Sequence, residues 1–145
     1  MKEQKGIALI IVIILFALLL SSGAYLLRFA FMDHKMAVSE ASKVKAFYSA
    51  EGGVEWARTK LSSNPDWFTD LPHTPADDIT WLLKDAAGFN FLVGDAHCKI
   101  VRENGKYRFY SIGYLGDKIK GSRGVSVIRI DFSNPPFNQL SWRQI

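Results

Sequence analysis

The side chains with capacity for chemistry are few, and their spacing keeps them apart. Asp95, His97 and Cys98 are all residue types that bind zinc. In an extended chain, however, neighbouring side chains point to opposite faces, so His97 and Cys98 cannot converge on one ion. Cys98 therefore reads as a small apolar packing residue. Asp66, Asp70, Asp77, Asp78, Asp85 and Asp95 offer the hard oxygens that calcium takes, but their spacing matches no calcium loop. They read as turn and capping acids. Glu51 and Glu55 stand one helical turn apart, which suits either a solvated helix face or pairing with a base on a partner. No GxSxG, HExxH, P-loop or CxxC pattern occurs. The chain is expected to be no enzyme, with no metal site and no cofactor.

Composition narrows the alternatives further. The 145 residues carry a net charge of +4 spread thinly, without the Lys/Arg block of a nucleic-acid binder, so anionic lipid is the expected use of the excess and no nucleic acid is expected as partner. With one cysteine, no intramolecular disulfide can form.

The element that dominates the chain is its opening. From Ile7 to Leu27 the only ionisable group is the phenol of Tyr25. As a helix this segment extends roughly 31 Å, about the thickness of a bilayer's hydrocarbon layer. A discarded secretory signal is the competing reading, because the apolar core meets Ser21, Ser22, Gly23 and Ala24. Against removal, apolar character resumes at Tyr25, Leu26, Leu27, Phe29 and Phe31, which suits one continuous helix. Lys2 and Lys5 precede the span and Arg28 and Lys35 follow it, so charge orients it only weakly. A cytoplasmic amino terminus is expected because the leading stub is short.

Helical periodicity continues past the span. Phe29, Met32, Met36, Val44, Phe47, Ala50, Val54, Ala57 and Leu61 recur mostly three or four apart, and no proline precedes Pro65. One helix from about Ile7 to about Leu61 is predicted. Met32 and Met36, with Phe29 and Phe47, read as a packing stripe. Gly52 and Gly53 interrupt it at about 2 kcal/mol of helix propensity relative to alanine. They mark either a bend or close approach of another backbone, or simply a weak stretch of helix.

The helix is expected to end at Ser62–Asp66, where Pro65 disfavours helical geometry at Asn64. Residues 62–96 read as an aromatic-rich connecting loop holding a short helix over Pro75–Ala87, capped by Thr74. From His97 the pattern alternates with period two. Asn104-Gly105 predicts a two-residue hairpin turn, with Glu103 opposite Lys106, Ile100 opposite Phe109 and Val101 opposite Arg108. A second turn, GDKIKGSRG, leads into a third strand over Gly124–Phe132. The expected α+β fold is a long helix whose second half packs on a three-stranded antiparallel sheet, one face free to cover it. Both Ile100/Phe109 and Val101/Tyr110/Ile112 are apolar sets, so the pattern leaves the buried face open. Any strand is expected to end at Pro135-Pro136, leaving residues 133–145 as a tail.

KG followed by IALIIVIILFALLLSSGAYLL resembles a type IV prepilin: a short basic leader, a glycine before the cut, and an apolar helix running into a globular head. The resemblance is closest to minor pilins with a PilX-type amino-terminal segment. It is carried by GIALIIVIILF, by AFYSAEGGVEWA (Ala46 to Ala57), by YRFYSIGYLGD and by the terminal SWRQI. It implies a leader of residues 1–6, a membrane and filament-core half over 7–27, an amphipathic half over 28–61 and an antiparallel sheet over 97–132. It further implies that a prepilin peptidase cleaves after Gly6 and that the new terminal residue, Ile7, is methylated. The implied partners are other major and minor pilins, that peptidase, the inner-membrane assembly platform and membrane lipid. The implied location is single-pass in the inner membrane with the head in the periplasm or outside, then in a pilus or pseudopilus.

One position departs from the family. Major pilins and most pseudopilins carry glutamate at the fifth residue after the cut, where this chain has Ile11. In the family that carboxylate meets the terminal ammonium of a neighbouring subunit. A bare charge costs about 2.5 to 3.5 kcal/mol on insertion scales, so a subunit without the acid pairs poorly with one placed ahead of it. Its own ammonium can still be met from behind. The resemblance thus implies a minor pilin at the tip or in the initiation complex of a type IV pilus, present in low copy. The alternatives are a type II secretion pseudopilin, a signal-anchored envelope protein or enzyme that is not a pilin, and a secreted soluble binding module.

Overall fold

The computed structural model describes residues 2–67, 78–103, 106–117 and 121–145. The chain forms two compact units, Met1–Val38 and Ser39–Ile145. Helix α1 spans Lys2–Ser63 and supplies all the described structure of the first unit. It ends two residues beyond the predicted Leu61, ahead of Pro65, where Asn64 N–H still donates to the Lys60 carbonyl.

The second unit joins residues 39–63 of α1 to a short helix α2 (Ile79–Lys84) and five strands: β1 (Phe89–Val93), β2 (Ala96–Arg102), β3 (Arg108–Asp117), β4 (Gly121–Phe132) and β5 (Gln139–Gln144). The strands form one antiparallel sheet in the order β1-β2-β3-β4-β5. The expected three-stranded sheet is thereby corrected to five. β1 lies inside the segment read as a connecting loop. Its hairpin to β2 is a two-residue turn in which Gly94 takes a φ of 60°, open to glycine at no steric cost. β5 lies in the segment read as a tail. Pro135 and Pro136 do not end the sheet; with Phe137 they form the turn that returns the chain beside β4, with Ser133 N–H donating to the Asn138 carbonyl at 2.9 Å.

The β2–β3 register also differs from expectation. Ile100 faces Ser111, Val101 faces Tyr110 and Arg102 faces Phe109. Each partner is two residues farther along than a two-residue turn would place it, because pairing closes at Glu103 and Arg108. A shift of two preserves the facing of every side chain, so the apolar sets stay intact. Asn104 and Gly105 lie outside the described residues. So do Thr74 and residues 75–77: the helix described there is shorter than predicted, and Asp78 caps it, accepting from Trp81 N–H at 3.0 Å.

Both sheet faces are covered, which explains why the pattern named no single buried face. Cys98, Ile100, Phe109, Ile128, Ile130 and Phe132 pack against Ala50, Val54, Ala57 and Leu61 of α1. Val101, Tyr110, Ile112, Tyr114 and Val127 pack beneath Leu82, Leu83 and Ala86 at α2. Each fully buried aliphatic side chain here contributes about 1.5 to 3 kcal/mol. Lys99, on the α2 face, is buried and donates from Nζ to the carbonyls of Leu82 (2.7 Å) and Leu83 (3.3 Å), so its charge sits at the helix's carbonyl end.

Candidate assembly surfaces

Over Ile7–Leu27 the first unit presents an apolar surface on every side. Ile7, Ile11, Leu15, Leu20 and Leu27 are all more than half exposed within the chain, as are the other large apolar residues between them. The backbone is satisfied by the helix, and Ser22 donates from Oγ to the Leu19 carbonyl at 2.9 Å. A β-carbon added at Gly23 would meet nothing within 4 Å. Among the described residues, α1 is the one helix long and apolar enough to cross a membrane. Gly6 and Ile7 lie in its helical run, and Ile7 and Ile11 share one face, a turn apart. No carboxylate stands at Ile11 to meet an ammonium group.

In the second unit the helix and sheet approach closely because small residues meet. A β-carbon on Gly113 would overlap the Ala46 carbonyl oxygen and lie 2.7 Å from the Ala50 nitrogen. One on Gly53 would collide with Ser111 Oγ and lie 2.5 Å from Cys98 Sγ. Of the readings open for Gly52 and Gly53, close approach is the one this geometry fits at Gly53, where the neighbours are β2 and β3 side chains. Polar groups stitch the contact: Ser111 Oγ donates to the Ala50 carbonyl at 2.6 Å and Ser49 Oγ to the His97 carbonyl at 3.0 Å.

The residues that chemistry would need are dispersed. Cys98 is fully buried towards α1, 3.7 Å from Ser111 Oγ. Burial pushes its thiol up to about 11, with the Ser111 contact pulling the other way. His97 stacks on Tyr114 across the strand pair, centroids 5.1 Å apart. Asp95 pairs with Lys45 at 3.3 Å on the surface. Among the described residues no group of three or more His, Cys, Asp or Glu side chains is gathered to hold a metal ion. Of the aspartates considered for calcium, Asp70 and Asp77 lie outside the described residues.

Two surface features escaped the sequence reading. The first is an aromatic cluster in which Trp56 of α1 stacks on Phe89 (4.7 Å) and meets Trp67 edge-on (5.4 Å). The second is the side of α1 facing β5. There Phe47 meets Tyr48 (5.9 Å) and Trp142 (6.4 Å), both edge-on, beside a groove of about 570 Å³ that Glu51 and Glu55 also line. The period-two alternation of QLSWRQ was the available signal for β5, but the two prolines before it outweighed that signal.

Residues 5–55 match the family model described as PilX N-terminal. No curated protein and no solved structure gives a match to the chain. The matched segment takes in the whole apolar run and the amphipathic continuation as far as Glu55, including the AFYSAEGGVE stretch that meets the sheet. The chain thus carries a PilX-type amino-terminal segment over residues 5–55, and its long apolar amino-terminal helix running into a head of helix on antiparallel sheet fits a type IV pilin-like fold.

Proposed function

We propose that the chain is a minor pilin, a structural subunit of the tip or initiation complex of a type IV pilus. It waits in the inner membrane, loses residues 1–6 by cleavage after Gly6, is methylated on Ile7, and joins other pilins by exchanging lipid for neighbouring helices around its apolar half. Its work is packing, not turnover. The observation that carries the reading is the helix segment Ile7–Leu27, apolar and exposed on all sides, within a stretch that matches the PilX-type model. Such a surface in water would be prohibitively costly, so lipid or sister helices must cover it. Ile11 supports a terminal or initiating place, since the subunit offers no acid to an ammonium ahead of it.

The test is mass spectrometry of the protein produced with and without a prepilin peptidase. Processing should give an amino terminus at methylated Ile7, and replacing Gly6 by a bulky residue should leave the stub in place. An unchanged terminus in the presence of the peptidase would overturn the reading in favour of a plain membrane anchor.

A further inference from the structure

From the geometry of the head we infer that the groove between α1 and β5 receives an extended peptide segment carrying a lysine or arginine, added as a strand to the open edge of β5. Three observations converge on it, and none depends on the pilin reading. First, among the described residues the sheet order ends at β5, which pairs there with β4 alone, and Gln139–Gln144 is exposed along its whole length. Its outer row of backbone donors and acceptors is a template for another strand. Leu140, on that strand, is 68% exposed, an apolar side chain left for a partner to cover.

Second, the space beside that edge is already shaped. The groove of about 570 Å³ is walled by Tyr48 and Trp142, with Gln139 at the strand end. Phe47 braces both rings edge-on, so the aromatic wall is held and not free to collapse into the groove.

Third, its charge selects the occupant. Glu51 and Glu55 line the same groove one turn apart. Glu51 has no ion pair among the described residues, and Glu55 has a long 3.8 Å contact to exposed Arg58. Carboxylates beside Tyr and Trp faces attract a cation by both Coulomb and ring-quadrupole terms, and they repel an acidic segment. A guanidinium or ammonium at one side-chain position of an added strand would meet both.

The test uses the full chain in lipid nanodiscs and a capped seven-residue peptide of alternating threonine and valine with one central arginine. Binding is followed by NMR at the Trp142 indole, assigned with Trp142→Phe, and at the amides of residues 139–144. The arginine peptide should shift these signals saturably. A citrulline peptide of the same shape, a peptide N-methylated along its pairing edge, and the Glu51→Gln/Glu55→Gln variant should each weaken binding at least tenfold. Equal binding of the arginine and citrulline peptides, shifts confined to β1, or no shift at millimolar peptide would overturn the proposal. Self-association of the chain without peptide, abolished by Glu51→Gln/Glu55→Gln, would assign the groove to a second copy and overturn it too.

Discussion

The hydroxyl of Ser111, in the middle of the sheet, donates a buried 2.6 Å hydrogen bond to the carbonyl of Ala50, in the helix that covers it. The same oxygen occupies the place where a side chain on Gly53 would begin. Polar satisfaction and close approach are therefore one arrangement, and they can be tested together.

Ser111→Ala removes the donor and leaves the Ala50 carbonyl its helical role, so the loss should be modest, about 1 kcal/mol. Chemical denaturation of the full chain in detergent, followed by tryptophan fluorescence, measures it. A loss above about 3 kcal/mol would mean that the hydroxyl does more than bridge helix and sheet.

Gly113→Ala should be worse, because the colliding atoms are the backbone of α1 and cannot rotate away. The helix must lift from the sheet, at the roughly 1 to 3 kcal/mol typical of overpacking or more. Gly53→Ala displaces Ser111 Oγ, so adding Ser111→Gly should restore part of the loss. Strict additivity of the two changes would contradict the contact.

Asp131 links three strands. It accepts from Arg108 Nε at 2.6 Å and from Ser141 Oγ at 2.8 Å. Burial alone would raise its pKa, but these hydrogen bonds and the charges of Arg108 and Arg129 outweigh burial and hold it below its ordinary 3.8. A carboxylate depressed on folding stabilises above its unfolded pKa and loses that contribution as pH falls through the folded value. Melting temperature should therefore decline below about pH 4, and Asp131→Asn should flatten that decline while lowering stability at pH 7. An unchanged acid limb in Asp131→Asn would remove Asp131 as its source.

Cys98 should be chemically silent. With its pKa near 11, on the order of one thiol in a thousand is thiolate at pH 8, and the side chain is fully buried. Alkylation by iodoacetamide should await unfolding, and rapid labelling of the native chain would contradict the packing. Because the folded pKa lies above the ordinary 9.0, this thiol's contribution to stability is complete below pH 9.0 and falls as pH rises towards about 11.

How much of this could be read without coordinates follows from how far each feature reaches along the chain. The apolar span, the helix continuing to its stop before Pro65, and the core stripe of Ala50, Val54, Ala57 and Leu61 are local, fixed by side chains three or four residues apart. So is the alternation of β2, β3 and β4. What lay beyond reach involved partners distant in sequence. Phe89–Val93 and Gln139–Gln144 become strands because β2 and β4 offer them edges, even with two prolines leading into β5. Period two gives each strand two faces but cannot rank them when α1 covers one and α2 the other. The groove at Glu51 exists only because β5 returns beside α1. Sequence alone determined that a greasy helix must be covered and that it enters a helix-on-sheet head; only tertiary structure decided which faces, edges and glycines meet, because those contacts are energies between segments and not properties of any one of them.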